Sequence, residues 1–93
     1  MALIDDVKLA LRINASTHNT EINDLISSAT ADLTLAGINA TVVDSLIKRA
    51  ITLYVKANFG YDNPDAERLN QAYLLLKTHL ALSEEYEIEE EEV

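Results

Sequence analysis

Ninety-three residues are enough for one domain with its own core, although a chain this short buries a smaller share of its surface than a large one. Hydrophobic residues make up 48% and cysteine is absent, which excludes a disulfide framework, thiolate chemistry and cysteine-ligated zinc. The net charge of −9 divides unevenly: Glu84–Val93 holds seven glutamates and no base, whereas residues 1–83 carry nine acids against seven bases, so the acidity belongs to the tail.

The N-terminal Met1-Ala-Leu-Ile-Asp-Asp6 has neither a basic region nor a long apolar run, so no signal peptide is expected, and no apolar stretch approaches the length of a membrane span. From there the periodicity reads helical, and predicts an all-α fold. A first short helix is expected over roughly Asp5–Arg12, with Ile4, Val7 and Leu11 on one face. A polar loop of cap-type residues, Asn14–Asn19, leads to a second helix from about Thr20 to Ala36. Its apolar stripe is Ile22, Leu25, Ile26, Ala29, Leu33 and Ala36, and Gly37 is its stop.

Thr41 and Asp44 form a loose capping box that opens a third helix over about Val42–Phe59. Leu46, Ile47, Ala50, Ile51, Leu53, Tyr54 and Ala57 cover more than half of its circumference, so this helix should be central. Its polar positions, Ser45, Lys48, Arg49, Thr52 and Lys56, fall on one stripe. Gly60 is its natural stop, and Asn63 as N-cap with Pro64 at the first helical position starts a fourth helix that runs to about Leu82. Leu69, Tyr73, Leu76 and Leu80 form its core line, which leaves Leu74 and Leu75 as surplus apolar residues fit for a partner surface. The prediction is a compact bundle of about four helices in residues 1–83, followed by an acidic, flexible tail in 84–93. Within the tail, Tyr86 and Ile88 alternate with glutamates at the period of a strand, so the segment is suited to pair with a partner's sheet edge.

Catalytic chemistry finds no support in these residues. His18 and His79 lack a second ligand at helical spacing, and Asp62-Asn-Pro-Asp65 fails as a calcium loop because Pro64, Ala66 and Tyr73 occupy ligand positions. The chain has only two glycines, so neither a nucleophile elbow nor a phosphate-cradling loop is available. No catalytic residue, metal site or cofactor is assigned, and the chain reads as a non-enzyme. The bases on the third helix are too few for a nucleic-acid face.

The contact candidates are Lys48, Arg49 and Lys56, either a solvated face or a cationic patch meeting acids on a neighbouring copy, together with the aromatic corner Phe59 and Tyr61, Asp62, and the leucines Leu74 and Leu75. Unlike patches that meet in this way make a heterologous contact, which builds rings or filaments rather than twofold dimers. For Phe59 and Tyr61 the plainer role is a hydrophobic clasp between the third and fourth helices.

The order Val7-Lys-x-x-Leu-Arg-Ile13, Glu21-Ile-x-x-Leu-Ile26, Ala36-Gly-Ile38, Leu46-Ile-Lys-x-Ala-Ile-Thr-Leu-Tyr-Val-Lys-Ala57, Phe59-Gly-Tyr-Asp-Asn-Pro-Asp65 and Tyr73-x-x-Leu-Lys-x-His-Leu80 resembles the small head–tail connector (adaptor) proteins of tailed phages and prophages. The segment Tyr54–Asp65 is the most specific part. The resemblance implies an all-α subunit that assembles with itself into a dodecameric ring beneath the portal protein. That ring would extend the DNA channel and dock the next neck, stopper or tail-completion protein, and DNA would pass through without sequence-specific binding. It also implies a place in the virion neck after assembly in the host cytoplasm, with no membrane partner, and a C-terminal segment, here Tyr86 and Ile88, that engages the portal. Two other classes are compatible with a small acidic helical chain: a DNA-mimic inhibitor, disfavoured because the acids are packed into one terminal run, and a generic helical adaptor for one folded partner.

Overall fold

The computed structural model describes residues 3–41, 43–60 and 63–88. Among the described residues four helices follow in chain order, α1 (Leu3–Leu11), α2 (Asn19–Leu35), α3 (Ser45–Asn58) and α4 (Ala66–Leu82), and a 3-10 turn at Glu84–Tyr86 comes after them. The all-α bundle read from the periodicity is therefore the fold. Its helix boundaries, however, are drawn by hydrogen bonds that composition only partly revealed.

α2 ends as expected. Gly37 takes φ +84°, its N–H reaches Thr34 O at 3.0 Å, and Ile38 N–H reaches back to Leu33 O at 3.0 Å. That pair of bonds is a Schellman stop, and its customary apolar partners, Leu33 and Ile38, are both fully buried. Ala36 is consequently an exposed cap residue, and Ile38 takes the core place expected of it. α1 ends with the same two bonds, Arg12 N–H to Leu9 O and Ile13 N–H to Lys8 O, but here the left-handed residue is Arg12, at φ +61°.

Two starts differ from the sequence reading. Thr41 is not the cap of α3, because both its N–H and its hydroxyl are turned to Asn39 Oδ1, at 3.0 and 2.6 Å. Asp44 caps the helix alone, one carboxylate oxygen accepting the N–H groups of Leu46 and Ile47 at 3.0 Å each. Likewise α4 begins at Ala66, two residues beyond Pro64. Asn63 holds a turn instead of capping the helix: its Oδ1 accepts Asp65 N–H at 3.0 Å and its carbonyl accepts Ala66 N–H at 3.1 Å. Asn63 Nδ2 then donates to Lys56 O at 2.7 Å, which ties this turn to the last turn of α3.

α3 is central, as its broad apolar surface required. Ile47, Ala50, Ile51, Leu53 and Val55 are all buried, and the helix packs against α1, α2 and α4. Val7, Ile22, Leu33, Tyr73 and Leu80 meet it from the other elements within one core. Each such apolar side chain contributes roughly 1.5–3 kcal/mol by leaving water. That contribution is what holds α1, since nine residues are too few for a helix to persist alone. Leu46 was expected inside and lies nearly half exposed at the outer edge of α3.

Candidate interaction surfaces

The first surface is built by the tail. Tyr86 O accepts Asn39 N–H at 2.6 Å, Ile88 N–H donates to Gly37 O at 3.3 Å, and Ile38 and Glu87 form an antiparallel bridge. The period-2 alternation of Tyr86 and Ile88 is thus used within the chain, against the residues that follow the α2 stop. Glu84–Ile88, expected to be flexible, folds back in this way, while residues 89–93 lie outside the described residues. The Tyr86 hydroxyl donates to Asp44 Oδ2 at 2.5 Å. One aspartate therefore caps α3 with one oxygen and holds the tail with the other. The two backbone N–H groups, Ile47 first, and the Tyr86 hydroxyl keep its carboxyl below the usual carboxylate range. Reciprocally, the carboxylate pushes the Tyr86 phenol up to about 12.

A second polar cluster joins α2 to α4. The Tyr73 hydroxyl donates to Asp32 Oδ2 at 2.5 Å, and Lys77 Nζ lies 3.1 Å from the same oxygen. Lys77 also stands 5.5 Å from the centre of the Tyr73 ring, and Tyr54 packs edge-on against that ring at 5.2 Å. Tyr73 is almost fully buried; burial first, then the hydrogen bond to Asp32, pushes its phenol well above the ordinary value. Asp32 shifts the other way, its carboxyl lowered chiefly by the Tyr73 hydroxyl. Sequence reasoning missed Asp32. The available signal was Tyr73 itself, since a tyrosine on a core line needs a partner for its hydroxyl.

The cationic stripe of α3 is not uniform. Lys48 pairs with Asp6 of α1 at 3.1 Å, which makes it an internal tie between helices, with its side chain 45% exposed. Arg49 is exposed, and Lys56 is half-buried beside the corner its carbonyl helps to hold. Phe59 is partly buried against the core, with the His18 ring edge-on at 5.4 Å, so it acts as a clasp, although its partner ring comes from the start of α2. Tyr61 and Asp62 lie outside the described residues.

Leu74 and Leu75 are 44% and 62% exposed. Sequence reading did not single out Leu9, Leu35 and Leu82, which are more exposed still. Among the described residues no group of histidines or carboxylates is arranged to hold a metal ion, and no helix is long and apolar enough to cross a membrane.

A family model described as Phage connector protein matches residues 3–87, which takes in all four helices, the 3-10 turn and the bridge residue Glu87. No curated protein and no solved structure matches the chain. With that match running over nearly the whole sequence, the chain belongs to the phage connector protein family, a family of structural phage proteins.

Proposed function

We propose that this chain is a head–tail connector subunit that assembles into a dodecameric ring beneath the portal, extends the DNA channel and docks the next neck or tail-completion component. The observation that carries this reading is the family match over residues 3–87. Exposed Leu74 and Leu75 support it, because a monomer with a complete core has no folding use for them. The contact residues proposed for neighbouring subunits are Arg49, Lys56, Phe59, Tyr61, Asp62, Leu74 and Leu75, with Lys48 reaching outward only if it leaves Asp6. Residues 84–93 are proposed as an arm that engages the portal, with Tyr86 and Ile88 acting from their docked place beside Asp44 and Gly37. A glutamate-rich arm near the channel would repel DNA and so keep it from adhering in passage.

The test is to mix the purified chain with portal rings and count subunits by native mass spectrometry, with electron microscopy of the same sample. A discrete added ring is the expected result. A chain that stays monomeric and never joins the portal refutes the reading. Trimming residues 84–93 should weaken the complex; unchanged binding would remove the arm from the proposal while leaving the ring.

A further inference from the structure

Leu35, Leu82 and Leu9 are the three most exposed large apolar residues described, at 87%, 80% and 74%. Two of them share a site. Leu35 at the end of α2 and Leu82 at the end of α4 line one open groove with Ala36 and Ile88, and its charged lining is Glu84 and Glu87. No base lines it, and neither glutamate has an ion-pair partner among the described residues. The two leucines thus stand exposed at the edge of a groove whose charged lining is wholly negative. Its occupant should carry an apolar knob between positive charges.

The third residue has that character. Leu9 projects from α1 on the face away from buried Val7, since two residues at 100° each place it nearly opposite. Lys8 and Arg12 flank it, with Asp5 as the acid of that face, and neither base has an ion-pair partner among the described residues. Arg12 adds a second observation. It sits at φ +61°, where Gly37 and Gly60 serve at the other two positive-φ positions, and a residue with Cβ costs roughly 1–2 kcal/mol there. Glycine would end the helix with less strain, yet this position carries an exposed guanidinium.

We infer that the α1 face of one copy, Leu9 between Lys8 and Arg12, seats in the Leu35–Leu82 groove of the next copy, with Glu84 and Glu87 meeting the two bases. The two surfaces differ, so the contact is heterologous and repeats from copy to copy. This inference rests on the ring reading and names one of its contacts.

The chain has no cysteine, so single-cysteine variants report on this contact directly. Leu9→Cys and Leu82→Cys, both at exposed positions, are mixed at high concentration, with portal rings present, and mildly oxidised. Mass spectrometry of the linked peptides should find the 9–82 link in large excess over 9–9 and 82–82 links. In parallel, Lys8→Glu with Arg12→Glu, or Glu84→Lys with Glu87→Lys, should each weaken assembly by about tenfold, and all four changes in one chain should restore it. Circular dichroism of each variant confirms that it is folded. Rings that assemble without the 9–82 link and ignore both reversals overturn the contact and leave the ring reading standing. The link in open chains without closed rings upholds the contact and overturns the ring. Absence of any self-association, with or without portal, overturns both.

Discussion

Replacing Tyr73 by Phe removes one oxygen from an otherwise unchanged core, and the structure sets the size of the effect. The lost bond is to a carboxylate, a class that contributes about 1.5–3 kcal/mol when both partners are secluded. Here the Asp32 side chain is 37% exposed, and Lys77 remains on the same oxygen at 3.1 Å, so water and Lys77 recover part of it. The expected loss is therefore about 1 kcal/mol, equivalent to a fall in Tm of about 6 °C for a domain of this size. The sign with pH follows from Asp32, whose folded pKa lies below its ordinary 3.8. A depressed carboxyl stabilises the fold above its unfolded pKa, and that contribution is lost as pH falls through the folded value. The gap between wild type and Tyr73→Phe should stay constant from neutral pH to about pH 5 and close below about pH 4. Urea unfolding across that range measures it, and the double variant with Asp32→Asn isolates the coupling. A gap under about 0.3 kcal/mol at neutral pH, or one that persists unchanged in acid, refutes the assignment of this stability to the Asp32 bond.

Three further outcomes follow from the same geometry. Tyr86→Phe should free the tail from Asp44, so the amides of Asn39 and Ile88 exchange about tenfold faster, while the α3 amides of Leu46 and Ile47 are unaffected. In the wild type, Tyr86 has a raised phenol pKa, so its bond is intact below about pH 10 and is lost as pH climbs towards about 12; protection of Ile88 that survives above this refutes the latch. Arg12→Gly should stabilise the isolated chain by about 1 kcal/mol in thermal melts and at the same time weaken assembly, a pairing that a merely strained turn would not produce. Asn63→Asp keeps the oxygen that accepts Asp65 N–H but deletes the donor to Lys56 O, and should cost about 1 kcal/mol in denaturant unfolding; a neutral result would mean that the corner is held by apolar packing alone.

What sequence could and could not reveal divides by separation along the chain. The Gly37 stop, the central placement of α3 and the core line of α4 depend on residues within a few positions of one another, and local periodicity carries that information. The same local pattern reads Thr41 with Asp44 as a capping box, whereas Asp44 caps alone. Thr41 is drawn away by Asn39, whose side-chain oxygen accepts both its N–H and its hydroxyl. The polar pairs that organise the surfaces, Tyr73 with Asp32 and Tyr86 with Asp44, span 41 and 42 residues. Neither partner carries a local mark of the other, so spacing had no means of pairing them.

The tail joins both halves of this contrast. Its strand-like period was visible in Tyr86 and Ile88, but the edge it pairs with is only the short extended segment between Gly37 and Asn39, too brief to show a period of its own. Within this chain the alternation meets that segment at one antiparallel bridge, Ile38 with Glu87. The consequence reaches the surface proposed for assembly. Because the tail folds back, Glu87 and Ile88 join Glu84 beside Leu35 and Leu82, the last residues of α2 and α4. Leu74 and Leu75 could be recognised as surplus from the helix pattern alone. Leu35 and Leu82 have Glu84 and Glu87 beside them, and Glu87 is held there by its bridge to Ile38 forty-nine positions earlier, so the charge of this groove depends on the tail staying docked.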